Sequence, residues 1–423
     1  MCKNRRAAMA SDPKPRPSSR SSYSYPVTNS GSYPRTTASF SSSSSWAISA
    51  DSKTSSSASL AALRDSLPET PTIYSFAEIS AATNNLLARS LASGSSSSWR
   101  CSLRGKDAVI FQRPFRGDPA ALPGRLGAVC KSHHNSLVRL LGVSLAGDHI
   151  YVVYEHSPGA SLAECLRNPR NPNFTPLSSW MSRIQVAADL AQGLEYIHHH
   201  SGVIHNRMKS SSVLVTEPNF HAKICYFGAA DLAGEVPVTT SAEDKEAASG
   251  EICPSSPPSR KMRRAGSGRM KIEGSRGYMA PELLAGGNIS RRSDVYALGV
   301  VLLELLSGDE PLKYRFDKEG KDVHRVSLIE TAREAIRPEE DSSEQERRGR
   351  VRRWVDRRLR DSYPVEAAED LVRVALRCVE ADAAARPDMT WVAGKVSKIF
   401  LDSKVWEETV RVPTDFSVSI APR

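Results

Sequence analysis

Three adjacent histidines, His198-His199-His200, form the densest run of metal-ligating side chains in this sequence. Imidazole tracts bind zinc and similar metals. This one closes a helical pattern just before Gly202, so a C-terminal turn with exposed imidazoles is the expectation, and no metal. The seven cysteines (Cys2, Cys101, Cys130, Cys165, Cys225, Cys253, Cys378) are scattered, without paired or zinc-type spacing. They read as reduced thiols of a protein kept inside the cell. Arg260-Lys261-Met262-Arg263-Arg264 has the make-up of a nuclear-import or nucleic-acid patch. It lies in a stretch rich in Ser, Pro and charge, where a solvated basic loop is expected and nucleic acid is not. Cys2 beside Lys3, Arg5 and Arg6 is a candidate for acylation. Residue 2 is not Gly, which excludes myristoylation, and one acyl chain with a basic patch holds a membrane only reversibly.

Whatever chemistry these residues do depends on the elements that hold them. Residues 1–65 are dominated by Ser, with only Asp12 and Asp51 acidic before residue 61. Too few large apolar side chains are present to offset the entropy of ordering, so this arm reads as disordered. A Ser-rich, Arg-bearing, acid-poor start also fits an organelle transit peptide, and chloroplast import is the alternative to a cytoplasmic location. Apolar residues from Ile73 to Leu86 fall at three- and four-residue steps, predicting a short amphipathic helix within an extension over 66–90. Ala108-Val109-Ile110-Phe111 and Ile150-Tyr151-Val152-Val153-Tyr154 each follow a turn signal and read as strands. Ile184, Ala187, Leu190, Leu194 and Ile197 mark one face of a helix, and Val295–Leu306 is apolar nearly all round, as a central buried helix is. Two stretches, 234–272 and 336–350, read as exposed loops, the second with a helical end as its alternative.

The net charge of +10 and pI of 9.3 follow mostly from basic clusters in these polar segments. With 423 residues, two or three compact units fit a prior of roughly 150 residues each. No run approaches the ~20 apolar residues of a membrane helix, and no apolar h-region follows Met1, so neither a span nor a secretory signal is expected.

Five segments then occur in a telling order. They are Val203-Ile204-His205-Asn206-Arg207-Met208-Lys209-Ser210-Ser211-Ser212, Lys223-Ile224-Cys225-Tyr226-Phe227-Gly228, Gly277-Tyr278-Met279-Ala280-Pro281-Glu282, Asp294-Val295-Tyr296-Ala297-Leu298-Gly299 and Arg386-Pro387-Asp388-Met389. Together they resemble the catalytic loop, the metal-binding loop, the end of the activation segment, the central helix and the late Arg-Pro element of protein kinases. Ala82-Thr83-Asn84-Asn85 and His133-His134-Asn135-Ser136-Leu137-Val138 narrow the resemblance to plant receptor-like and receptor-like cytoplasmic kinases, with a lean toward the LysM-receptor branch. It covers residues 72 to 400 and implies an α+β, bilobal protein-kinase fold. The expected layout is a β-rich small lobe over 91–155, a helical large lobe over 156–405 with an enlarged activation segment at 234–272, and a tail over 406–423.

Phosphoryl transfer is mostly positioning and charge neutralisation, so few side chains carry it. By resemblance, the carboxylate that accepts the substrate hydroxyl proton is replaced by Arg207, a cation that cannot accept it. Ser212 and Tyr226 stand where the two metal ligands belong, and Mg²⁺ needs charged oxygen ligands that a neutral phenol does not supply. Phe111 takes the place of the phosphate-binding Lys, with Arg113 as the alternative surrogate cation, and Arg125 takes the place of its Glu partner. Gly94-Ser95-Ser96-Ser97-Ser98-Trp99 offers one glycine where the phosphate-covering loop uses three. Asn206 replaces the Arg that receives the activation-segment phosphate.

What persists is architectural. Glu282 with Arg386 implies the ion pair that ties the activation segment to the large lobe; Asp294 caps the catalytic loop; His205 and Gly228 keep its geometry. Lys209 has two readings, a phosphate contact or a solvated lysine. The expectation is therefore a pseudokinase, a scaffold or allosteric partner of other kinases or receptor complexes. It carries no intact catalytic residue and no metal, and ATP binding, if retained, is independent of Mg²⁺. A weak, atypical Ser/Thr kinase is the alternative. Ser256 before Pro257 and Ser267 after Arg264 are candidates for phosphorylation by other kinases.

Overall fold

The computed structural model describes residues 72–88, 97–168, 170–236, 277–316, 323–337 and 343–410. The first part is a five-stranded sheet in the order β1-β4-β5-β3-β2, built from β1 (Thr72–Ile73), β2 (Ser98–Leu103), β3 (Lys106–Pro114), β4 (Leu140–Ala146) and β5 (His149–Glu155). Successive strand residues face opposite sides, and both sides of this sheet are covered. Ile110, Tyr151 and Val153 pack outward with Ile79 and Tyr74, beneath α1 (Phe76–Ala82). Phe111, Val152 and Tyr154 face inward, toward α2 (Leu122–Cys130) and the helical part.

The extension is shorter as a helix than its periodicity predicts. Ile73 pairs in parallel with Val143 as strand, and Ser75 with Glu78 forms a capping box that starts α1 only at Phe76. Asn84, Asn85 and Leu86 all adopt positive φ, which ends it.

In the second part β6 (Ala160–Ser161) and α3 (Leu162–Leu166) lead to α4 (Trp180–His199). Ile184, Ala187, Leu190, Leu194 and Ile197 are all fully buried on one face of α4. A small sheet of β6, β7 (Val213–Thr216) and β8 (His221–Ile224) and the short α5 (Ala229–Leu232) follow. After α6 (Pro281–Leu284), α7 (Arg291–Ser307) runs through the centre, with every residue from Ser293 to Ser307 buried. Gly308, at φ 73°, ends it in the left-handed conformation that glycine takes without strain.

The hairpin of β9 (Leu312–Phe316) and β10 (Val323–Ser327) precedes α8 (Leu328–Ala335), α9 (Glu344–Trp354), α10 (Val365–Cys378) and α11 (Met389–Val410). Of the two readings of 336–350, the helical end holds for residues 344–350, because Ser343 and Glu346 form a capping box that satisfies the first turn. The last helix passes residue 405 and continues to Val410. Trp180 Nε1 donates to Ser403 Oγ at 2.8 Å, tying α4 to α11.

Candidate functional site

The segment between α4 and β7 is held from below by one carboxylate. Asp294, in the first turn of α7 and almost fully buried, accepts the backbone N–H of His205 and of Asn206, both at 2.7 Å. His198 Nε2 meets the same carboxylate at 3.0 Å. The expectation of exposed imidazoles at the helix end holds for His199 and His200 and needs correction for His198 alone. His198 is buried against Asp294, His199 meets Thr390 Oγ1, and His200 stacks on Tyr196, so the three rings diverge.

His205 Nε2 lies 2.8 Å from the Cys225 carbonyl while its Nδ1 accepts the Arg207 N–H. That pair of bonds assigns the neutral ring with its proton on Nε2. Burial pushes the imidazole below its ordinary pKa against the pull of Asp294, in keeping with neutrality. Gly228, at φ 77°, has no room for a side chain: a Cβ there would meet Val129 Cγ1 of α2 at 2.4 Å.

Above this frame lies the cleft. Phe111 and Tyr226 stack with ring centres 4.2 Å apart at an interplanar angle of 28°. Tyr154 meets Tyr226 edge-on at 6.0 Å, and its hydroxyl donates to the Phe227 carbonyl at 2.9 Å. Tyr226 holds φ 63° and hydrogen-bonds Ser98 through its hydroxyl. Burial pushes that phenol up to about 12, so it is neutral at physiological pH. Three rings thus occupy the inner cleft in offset-stacked and edge-to-face contacts, geometries that favour aromatic packing.

Arg113, the alternative cation of the small lobe, is engaged by a carboxylate. Its guanidinium is buried in an ion pair with Glu235, whose other oxygen meets Asn206 Nδ2 at 3.4 Å. Register explains the difference: Phe111 faces the cleft floor, and Arg113, two residues on, lies at its edge. Arg125 turns toward α5, donating to the Asp231 carbonyl at 3.0 Å. Ser212 is fully buried, its hydroxyl 2.7 Å from the Arg207 carbonyl and 2.9 Å from the Lys209 carbonyl. It serves as a brace within the loop. Arg207 and Lys209 are both half-buried, so Lys209 is not the fully solvated lysine of its second reading. Residues 89–96, and with them Gly94, lie outside the described residues, as do Cys2, Ser256, Ser267 and the 260–264 basic cluster.

Glu282 and Arg386 meet as a bidentate pair, with both N–O distances 2.7 Å. A second buried network was not legible beforehand. Glu304 accepts from Arg167 at 2.6 Å, from Tyr278 at 2.7 Å and from Ser210 at 3.0 Å. Burial raises the Glu304 carboxyl above its ordinary value against the pull of Arg167. One signal was available: Glu304 is the lone charge in an apolar run, and such a residue is buried only with partners. Nothing in the sequence pointed to Tyr154 or to the Arg113–Glu235 pair. Among the described residues no helix is long and apolar enough to cross a membrane, and no group of three or more His, Cys, Asp or Glu could hold a metal ion.

Comparison with known proteins follows the same lines. The protein kinase domain profile matches residues 126–393. The LysM domain receptor-like kinase 3 of Arabidopsis thaliana is 32% identical over 81% of this chain and 48% of its own length. The probable serine/threonine-protein kinase PBL9 of the same plant is 33% identical over 63% of this chain and 54% of its own. The chain thus spans about half the length of the curated relatives it matches. Among solved structures, the pseudokinase domain of BIR2, an immune regulator of the RLK/Pelle family, aligns with a TM-score of 0.55. It is 21% identical and covers 77% of this chain and 86% of that one, a likeness of fold.

Proposed function

This chain belongs to the protein kinase family, and we propose that within it the protein is a catalytically inactive scaffold or allosteric partner of plant receptor-like kinases. The observation that carries this reading is the Phe111–Tyr226 stack. In the family, the residues at those two positions are a lysine and an aspartate that neutralise phosphate and metal charge. Two desolvated rings offer no charge of either sign. Arg207 cannot accept a proton, and the Ser212 hydroxyl is spent inside its own loop. Losing the base, both metal ligands and the phosphate-binding cation together leaves little for positioning alone to rescue, since each such group is commonly worth orders of magnitude in rate.

The retained framework, Glu282–Arg386 and Asp294 beneath the loop, keeps a kinase-shaped surface for partners. Those partners are other kinases or receptor complexes, met in the cytoplasm, with reversible membrane contact through Cys2 as the second element and plastid import as the alternative. Ser256 and Ser267 are sites for phosphorylation in trans.

Thermal denaturation of the full chain with ATP, with and without Mg²⁺, tests the reading, because a ligand that binds the folded state must raise the melting temperature. No Mg²⁺-dependent shift is expected, and any metal-free shift is small. A clear Mg²⁺-dependent shift, or incorporation of radiolabel by the purified protein alone, refutes the proposal in favour of a weak kinase.

A further inference from the structure

We propose that residues 227–235 form a built-in strap that holds the five-stranded sheet on the helical part in one closed placement, with no nucleotide needed between them, and that the Arg113–Glu235 ion pair is its lock.

The strap is anchored first in the helical part. It follows β8 closely, and Phe227, Ala229, Leu232 and Ala233 are buried in the main core. From there it reaches the sheet and α2 at four points. The Tyr154 hydroxyl of β5 donates to the Phe227 carbonyl at 2.9 Å. Arg125 of α2 donates to the Asp231 carbonyl at 3.0 Å. The Arg116 N–H, just beyond β3, donates to the Ala233 carbonyl at 2.8 Å. Gly234 lies so close to Gly117 that a Cβ on it would stand 2.6 Å from the Gly117 Cα, so the two backbones meet with no side chain between them.

The lock sits at the end of this seam. The Arg113 and Glu235 side chains keep only 5% and 10% of their surface exposed, and the other Glu235 oxygen lies 3.4 Å from Asn206 Nδ2. Asp294 in turn accepts the Asn206 N–H at 2.7 Å, so a continuous polar line runs from β3 through the strap to the central helix α7. A buried ion pair adds little net stability over apolar packing, because desolvation offsets most of the Coulomb attraction. What it does impose is geometry. A slip of the sheet across the helical part would separate the two charges while both are still shielded from water, the costliest arrangement for either. The pair therefore selects one placement rather than merely adding to the attraction. The interior agrees, since Phe111 and Tyr154 of the sheet belong to the same apolar cluster as Leu302 and Leu303 of α7.

Kinases that close around a ligand do so by hinge and shear motions when the ligand arrives. Here protein groups on both sides of the seam already make the joint, and Phe111 is stacked on Tyr226 within it. A fixed placement suits a scaffold, whose partners need the same shape whether or not nucleotide is present.

The test is hydrogen–deuterium exchange of the full chain, resolved to single amides. The reporter is the Arg116 N–H, whose bond to Ala233 crosses the seam. The controls are the Val152 and Leu303 amides, one inside the sheet and one inside α7. In the parent the Arg116 amide should be protected without nucleotide, and ATP, with or without Mg²⁺, should leave its rate unchanged. Glu235→Gln strands the buried guanidinium and should speed Arg116 exchange at least about tenfold with the controls unmoved, as opening of one seam does. Gly234→Ala drives the strap off Gly117 with both charges kept, and should act in the same direction. Melting curves check both variants. One that folds is enough to decide, and if neither folds the parent decides through the nucleotide comparison. Arg116 exchange at the rate of an unprotected amide, slowing of it by ATP, or no change in whichever variants fold overturns the strap. Equal loss of protection at Arg116 and at both controls makes the pair a general support of the fold and overturns the lock. Phosphotransfer by the parent protein defeats the non-catalytic reading and leaves the strap standing.

Discussion

Replacing Glu282 by alanine probes the joint between the activation segment and the helical part. The Arg386 side chain is fully buried, whereas Glu282 keeps 26% of its surface. Removing one member of a fully buried ion pair costs about 3–5 kcal/mol, because the other charge is left uncompensated. Two features reduce that here. Water already reaches Glu282, and Arg386 keeps the carbonyls of Glu380, Arg292 and Ala381 at 2.8, 3.0 and 3.3 Å, with the Tyr296 ring 5.0 Å away. The expected cost of Glu282→Ala is therefore about 2–3 kcal/mol. For a domain of this size that lowers the melting temperature by roughly 5 °C.

Arg386→Ala should cost more, about 4 kcal/mol, since it removes the partner of three carbonyls as well as of Glu282 and takes out a fully buried side chain. The pH dependence has a definite sign. Burial pushes the Glu282 carboxyl up, but hydrogen bonds and charge from Arg386 outweigh it and leave the group below its ordinary value of 4.5. A depressed carboxylate stabilises the fold above its unfolded value and ceases to as the pH falls through its folded one. The gap in melting temperature between parent and Glu282→Ala should hold near neutrality and close below about pH 4.5. Calorimetry across pH measures all three quantities. A Glu282→Ala protein that melts like the parent, or an Arg386→Ala protein milder than Glu282→Ala, refutes the reasoning.

Gly228→Ala should destabilise by about 2–4 kcal/mol, combining the left-handed backbone penalty with overpacking against Val129. Adding Val129→Ala should recover only the packing part, and denaturant unfolding of the two proteins separates the contributions. Phosphopeptide mapping of protein from tissue should find Ser256 or Ser267 modified, while the purified protein incubated alone with ATP stays unmodified at both. Modification of neither in tissue removes these sites.

Much of the fold was written in local sequence. Apolar spacing marks α4 and the central α7, turn signals mark β3 and β5, and the ordered motifs single out Glu282, Asp294 and Arg386. These features are legible because they depend on short-range periodicity, or on residue types that serve one framework role. The losses at Arg207, Ser212 and Tyr226 were legible for the same reason, since a missing carboxylate is a fact of composition at a known place.

What surrounds Phe111, Tyr226 and Arg113 was decided only by tertiary structure. The Phe111–Tyr226 stack joins residues 115 positions apart, and Arg113–Glu235 spans 122 positions. His198 looked like one of three equivalent imidazoles until α7 brought Asp294 beneath it. The charged run at 344–350 became helix because Ser343 and Glu346 cap it, a balance between capping and self-repulsion that charge content alone does not reveal. Sequence fixes which side chains are available within a few residues of one another. Long-range packing decides which charges are neutralised and which rings share a cavity, because burial makes an unpaired charge costly and a paired or stacked one stable.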